Sequence, residues 1–260
     1  MPNTRLNYES AARTHVGCVR PLNEDNFVSR PDVGLWGVAD GMGGHEAGEV
    51  ASGLLVQALE QVDSFTTGYA FLDDVRDSVQ RVNRTLLARA EALAPGAVIG
   101  STVVILLAYD GHYACLWAGD SRAYMLRNGV LEQVSRDHSM VQELIDTGAI
   151  TRDDAKTYRR SNVITRAVGV SDRLALDMNQ GPIEPGDLFV LCSDGLTGMV
   201  EDHEIEKIVG TMSLEDAADA LLALSLDRGG RDNVTFVLIR AGANPDDTLE
   251  QTVSTGFFNT

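Results

Sequence analysis

Carboxylates dominate the positions in this chain that could do chemistry. Asp40 closes an apolar run in Val38-Ala39-Asp40-Gly41-Met42-Gly43-Gly44-His45, and glycines follow it closely. Glycines let the backbone approach an ion or a phosphate, and a carboxylate in such a loop can ligate a hard cation. A tight strand-to-helix turn would use the same residues, whereas a P-loop is ruled out because no Gly-Lys-Ser/Thr follows. The pattern returns at Leu191-Cys192-Ser193-Asp194-Gly195, where an apolar run again ends in Asp-Gly. It recurs in altered form at Ala118-Gly119-Asp120-Ser121-Arg122 and at Arg231-Asp232-Asn233-Val234, where the aspartate precedes a strand. Aspartate is also a common turn former, so each position taken alone keeps a purely structural reading. The loop Arg20-Pro21-Leu22-Asn23-Glu24-Asp25 adds a guanidinium beside two carboxylates. The planar fork of arginine matches phosphate oxygens and carboxylates match metals or their waters, although a surface ion pair would look the same.

The elements that must carry these residues are mostly short strands. Between residues 101 and 135, apolar runs are punctuated by Asp110-Gly111 and Arg127-Asn128-Gly129, strong hairpin signals. They predict a β-meander with strands over 102–109, 112–118, 121–126 and 130–134. Further strands are expected over 34–39, 187–192 and 234–240. Leu54, Leu55, Ala58 and Leu59, then Val75, Val79, Val82 and Leu86, recur at helical spacing and predict amphipathic helices over 45–62 and 71–93. Shorter helices are expected over 140–147 and 214–226. Helices grouped between runs of antiparallel strand indicate an α+β domain with helices packed outside sheets. No internal repeat is visible. The expected domain spans residues 1–241, and 242–260 lose periodicity and read as a flexible C-terminal tail.

A chain of 260 residues suits one large domain or two small ones and can bury a full core. The 38 Asp and Glu against 21 Lys and Arg give a formal charge of −17, which repels a phosphate backbone and argues against nucleic acid as a partner. Acidity of this kind can simply serve solubility, or it can gather carboxylates around cations. Cys18, Cys115 and Cys192 lie far apart, each within a segment that reads as a strand, so neither a disulfide framework nor a zinc knuckle is indicated. With no apolar run at the N-terminus and none near the roughly 20 residues of a membrane span, a cytoplasmic protein without membrane insertion is expected.

Taken in order, R-x-x-N-E-D from Arg20, V-A-D-G-M-G-G-H from Val38, A-G-D-S-R from Ala118, C-S-D-G-L from Cys192 and D-N-V-T from Asp232 resemble the metal-dependent protein phosphatases (protein phosphatase 2C-like) in their compact bacterial form. Gly100-Ser101-Thr102, Asp137-His138-Ser139 and the stretch from Asn162 to Ala167 extend the resemblance over about residues 14–240. The resemblance implies two stacked antiparallel β-sheets flanked by helices on both outer faces. It also implies hydrolysis of phosphoserine and phosphothreonine on proteins. Asp40 would bridge two Mn²⁺ or Mg²⁺ ions, with the Gly41 carbonyl on the first and Asp194 and Asp232 on the second. Glu24 and Asp25 would act largely through waters on the metals, and Arg20 would hold the phosphate. Asp120 would join Asp194 at a third, weakly held ion. The implied partner is a phosphorylated protein, a serine/threonine kinase or one of its targets, met by a monomeric phosphatase.

The chain departs from the family's pattern in two places. Met42 stands where animal members carry a histidine proposed as the acid for the leaving alcohol, and His45 more naturally opens a helix. In the flap segment, 148–162, Tyr158-Arg159 replaces the His-Pro pair of many bacterial relatives, and Arg159 and Arg160 present either a basic face or an attraction for acidic phosphopeptides. Three other functions fit parts of the pattern, among them a phosphatase for small metabolites, which the residues alone do not separate from a protein phosphatase. A non-catalytic phosphoprotein-binding module would be expected to lose Asp40, Asp194 or Asp232, and a two-metal phosphodiesterase would be expected to carry a basic groove.

Overall fold

The computed structural model describes residues 6–43, 47–63, 65–155, 158 and 163–243. The chain opens with β1 (Leu6–His15), β2 (Asp25–Arg30) and β3 (Leu35–Gly43), then α1 (Ala47–Glu60) and α2 (Gly68–Leu93). The strands β4 (Ile99–Ser101), β5 (Val103–Tyr109), β6 (His112–Ala118), β7 (Arg122–Arg127) and β8 (Val130–Gln133) follow. After α3 (Met140–Asp146) and α4 (Arg152–Ala155) come β9 (Asp177–Pro182), β10 (Leu188–Cys192), α5 (Asp194–Thr197), α6 (Asp202–Thr211), α7 (Leu214–Asp227) and β11 (Val234–Ala243). The strands form two antiparallel sheets, β1-β11-β10-β7-β8 and β2-β3-β5-β6-β9, with β4 added to the end of β3.

Each layer follows from its residue pattern. In α2, Phe71, Val75, Val79, Val82, Leu86 and Ala90 are buried at helical spacing, and Thr67 caps the helix by accepting from the Ala70 amide at 3.2 Å. With α1 it covers one sheet through Leu55, Leu59, Ile105, Leu107 and Leu116. The other sheet is covered by α5, α6 and α7 through Leu196, Ile205, Val209 and Leu221. Trp36, Val38, Val104, Leu106, Phe189, Leu191 and Val237 fill the space between the sheets. Both faces of β5 are therefore packed, which explains why its sequence is a continuous apolar run without alternation. The α+β class and the stacked sheets with helices on both outer faces are as expected.

Several expectations need correction. The meander is two hairpins in different sheets: β5 pairs with β6 in one, and β7 with β8 in the other. Its outer turns behave as the turn residues dictate, with positive φ at Asp110 (46°), Gly111 (73°), Asn128 (52°) and Gly129 (80°). Between them, Gly119-Asp120-Ser121 carries the chain from sheet to sheet. Strands β1, β2, β4 and β9 and helices α4, α5 and α6 were not foreseen. Two of these, β1 and β9, are edge strands with little apolar alternation, β1 mostly half-buried and β9 mostly exposed, and α6 buries only Ile205 and Val209. Cys18 lies in an exposed turn, not a strand, while Cys115 and Cys192 are buried in strands. The last strand runs to Ala243, two residues past the expected end of the domain. His45, Arg159, Arg160, Asn162 and the rest of the tail lie outside the described residues.

Candidate active site

Asp40 and Asp25 face each other across the β3–β2 ladder. Hydrogen bonds fix the Asp40 backbone on every side. Its carbonyl accepts from the Thr102 amide and the Ser101 hydroxyl, both at 2.9 Å, and its amide donates to Thr102 Oγ1 at 3.2 Å. Thr102 Oγ1 lies 2.7 Å from Ser121 Oγ, so the loops preceding β5 and β7 are tied together beneath the aspartate. Asp25 is buried and accepts from Ser193 Oγ at 2.7 Å, just before Asp194 opens α5. Gly41 has no room for a side chain, since a Cβ there would lie 2.1 Å from the Gly48 carbonyl oxygen. The backbone therefore approaches the start of α1 at the one residue whose carbonyl was expected on a metal.

Electrostatics joins these residues into one site. Burial pushes the Asp40 carboxyl well above the usual range, and Asp25, Asp194, Asp120 and Asp232 push it further. Burial first, then Asp194 and Asp232, hold Asp25 up to about 7 against the hydrogen bonds from Ser193 and Thr235. Asp120 is raised to about 7 by burial, then by Asp194 and Asp137, and Asp194 to about 6 by burial and Asp232. Like charges out of water raise each other's pKa in this way. Asp40, Asp25, Asp120 and Asp194 come from four different parts of the chain, so the packing is a property of the fold. Among the described residues no three Asp, Glu, His or Cys side chains already form a closed metal cage.

Arg20 sits at the rim, with Nη2 2.6 Å from Asp232 Oδ2. This hydrogen bond is the main reason its pKa is raised, with Asp194 and Glu24 adding to the effect. The guanidinium expected on a phosphate is thus placed on a carboxylate, as a cation beside an acidic cluster should be. Glu24 has a second role: its Oε1 accepts from the Gly48 amide at 3.1 Å in the first turn of α1, and its backbone carbonyl accepts from the Gly41 amide at 3.1 Å. The donor set is all oxygen, anionic and partly desolvated, which suits hard divalent ions and gives a soft ion no thiolate. The residues therefore fit such ions.

Several residues that hold the site were not singled out by spacing. Asn233 donates to the Val16 and Leu22 carbonyls, both at 2.8 Å, and accepts from the Glu24 amide at 2.8 Å, locking the Arg20 loop against β11. Ser193, Thr102 and Ser121 support Asp25 and Asp40 as described. All of them lie inside or beside the quoted motifs, and their partners are far away in the chain, which no local pattern reports.

An α+β sandwich with acidic residues gathered at the ends of both sheets is a scaffold whose donor chemistry suits divalent cations. Residues 20–229 match the family model "Protein phosphatase 2C". The serine/threonine phosphatase Stp of Listeria monocytogenes is 37% identical over 235 residues, 87% of this chain and 93% of that protein. The structure of PppA, described as a key regulatory component of T6SS in Pseudomonas aeruginosa, superposes with a TM-score of 0.83 at 42% identity, covering 90% of this chain and 97% of that one. The catalytic domain of the serine/threonine protein phosphatase PstP, solved in complex with two manganese ions, superposes with a TM-score of 0.81 at 34% identity, covering 92% and 100%. The chain belongs to the protein phosphatase 2C family.

Proposed function

We propose that this chain is a protein-serine/threonine phosphatase that hydrolyses phosphoserine and phosphothreonine monoesters on proteins and depends on Mn²⁺ or Mg²⁺. The observation that carries the proposal is the convergence of carboxylates from distant segments: Asp25 lies opposite Asp40 on the β2–β3 ladder and is hydrogen-bonded by Ser193, Asp194 opens α5 next to that serine, and Asp232 takes Arg20 at the rim. In this reading Asp40, the Gly41 carbonyl, Asp194 and Asp232 would hold two divalent ions, and Glu24 would act largely through their waters. Asp25 would likewise act through a water, and Asp120 would join Asp194 at a third, weaker site. Bound ions supply positive charge for the phosphoryl oxygens and acidify the attacking water.

The chain's own residues orient that chemistry. Arg20, half exposed and already within reach of Asp232, has its guanidinium free to take phosphate oxygens once Asp232 is engaged elsewhere. Ser193 holds Asp25 in place, and Thr102 with Ser101 fixes the strand end that presents Asp40. Met42 cannot move a proton, so protonation of the leaving alkoxide falls to the neighbourhood of Asp120. The similarity to the serine/threonine phosphatases Stp and PstP supports action on phosphorylated proteins; a signalling role in opposition to a serine/threonine kinase, carried out by a cytoplasmic monomer, is part of the same proposal.

The test is a parallel assay of p-nitrophenyl phosphate, a phosphothreonine peptide and a cyclic dinucleotide. Activity on the two monoesters should vanish in excess chelator and return with Mn²⁺ more than with Ca²⁺. Full activity after exhaustive metal removal would refute the mechanism, and preferred cleavage of the dinucleotide would favour a phosphodiesterase.

A further inference from the structure

Asp120 occupies an unusual place, a crossing between sheets with no hairpin to fix it. Gly119 there has φ +120°, and a Cβ would lie 2.5 Å from Thr102 Cβ. The crossing thus has a backbone conformation that suits only glycine, with the half-buried Asp120 next in the chain. Something has to hold it.

Two consecutive residues from another segment grip the crossing on both sides of Asp120. Upstream, His138 Nδ1 accepts from the Gly119 amide at 3.1 Å, and the His138 amide donates to the Gly119 carbonyl at 2.9 Å. Downstream, Asp137 receives Arg122, with Nε 3.0 Å from both carboxylate oxygens and Nη2 at 2.7 Å from Oδ2. Because Nδ1 accepts, the ring proton resides on Nε2, which lies 3.2 Å from Asp177 Oδ2. The ring also stacks on Trp117, at 6.2 Å between centroids and 21° between planes, and the Trp117 indole donates to the Arg136 carbonyl at 2.7 Å. Every polar atom of this imidazole therefore has a fixed partner.

The other end of the contact reaches the root of the flap segment. Asp177 pairs with Arg166, and the Thr165 amide donates to the His138 carbonyl at 2.8 Å. The Met140 amide donates to the Val163 carbonyl at 2.9 Å, so residues 138–140 and 163–165 are joined along their backbones.

We propose that His138 is a positioning residue that aims Asp120 at Asp194, with Asp137 as its companion through Arg122, and that Asp177 and Arg166 tie this bracket to the flap root. The inference rests on the reading of Asp120 as part of the site. A histidine that merely filled space beside Trp117 would not need both ring nitrogens engaged, Nδ1 by the Gly119 amide and Nε2 by Asp177.

A pair of substitutions separates the two ring contacts. In His138→Asn the amide oxygen can take the place of Nδ1 toward Gly119 but falls short of Asp177. In His138→Gln the longer side chain can reach Asp177 but misses Gly119. Supporting groups around metal sites typically contribute 10–100-fold, so His138→Gln should lower kcat on a phosphothreonine peptide by roughly that factor, while His138→Asn stays within about threefold of wild type. In an Asp120→Ala background the glutamine substitution should add less than about twofold, because a positioning residue acts only through its target. In the metal-free protein, hydrogen exchange at the Gly119 amide should accelerate in His138→Gln and stay slow in His138→Asn.

Equal losses in the two variants, an undiminished loss in the Asp120→Ala background, or an unchanged Gly119 amide would each overturn the positioning role. A silent Asp120→Ala variant would instead show that the reading of Asp120 was wrong, and the proposal would fall with it.

Discussion

Asp25→Asn tests the electrostatic account of the site most directly, because it removes a charge while keeping shape and an acceptor for Ser193 Oγ. Burial and the carboxylates of Asp194 and Asp232 lift Asp25 to about 7, against an ordinary aspartate value of roughly 3.9. Its folded pKa therefore lies above its unfolded one. Below about pH 4 the group is protonated in both states and the burden is absent; the corresponding stability is lost as pH rises through about 7. One unit corresponds to about 1.4 kcal/mol, so holding the buried charge at pH 8 costs on the order of 4 kcal/mol.

The variant should therefore match wild type near pH 4 and exceed it progressively up to pH 8, by on the order of 2–4 kcal/mol in metal-free protein. At roughly 2–4 °C per kcal/mol for a domain near this size, the Tm should rise by about 5–15 °C. Thermal melts of both proteins in chelator from pH 4 to pH 9 provide the measurement. Taking the difference between the two curves cancels the pH dependence of the titratable groups that do not interact with Asp25. A difference that stays flat from pH 5 to pH 8, or a variant less stable than wild type at pH 8, would refute the reasoning.

The other residues give sharper functional readouts. Arg20→Lys keeps the charge that faces Asp232 but loses the fork; with one charge-assisted hydrogen bond gone, KM for a phosphopeptide should rise about tenfold with a smaller fall in kcat. An unchanged KM would show that the guanidinium stays on the carboxylate during turnover. Asp120→Ala should reduce turnover of a phosphothreonine peptide, whose alkoxide leaves poorly, far more than that of p-nitrophenyl phosphate, and equal losses on both would remove Asp120 from leaving-group protonation. Asn233→Ala cuts bonds to Val16, Leu22 and Glu24 and should lower stability by about 2–4 kcal/mol in urea titrations, with a shift below about 0.5 kcal/mol counting against its role as the loop's anchor.

The parts of the fold legible in the sequence are those decided locally. Asp110-Gly111 and Asn128-Gly129 can adopt the positive φ that a two-residue hairpin needs, and β5 and β10 announce themselves by continuous apolar runs. The sheet to which each hairpin belongs was not legible, because nothing in Gly119-Asp120-Ser121 states whether the chain turns back or crosses over. Strand β1 was missed for a related reason: only Ala11 is buried along it, and its long pairing with β11 is decided at the other end of the chain. The acidic residues could be picked out because their types and spacing are unusual. Their supports could not, since Asn233 and Leu22, or Ser193 and Asp25, meet only after the sheets have stacked.

The placement of Asp25 opposite Asp40 bears on how stability and activity are divided in this protein. Like charges directly across an antiparallel pair destabilise it, and here both are also removed from much of the solvent. Their neighbours along the same ladder, Phe27 with Val38 and Val28 with Gly37, belong to well-packed strands that hold the pair in place whatever its charge. The sandwich thus carries a local burden at the end of its sheets while its interior supplies the surplus, an arrangement common where activity needs a strained site. A ligand present at 100 times its Kd adds about 2.7 kcal/mol of stability, so two divalent ions together would add about 5 kcal/mol, comparable to the burden from Asp25 alone. Cations that fit this site would then do more than assist hydrolysis. They would offset the charge repulsion that the β2–β3 ladder has to bear without them.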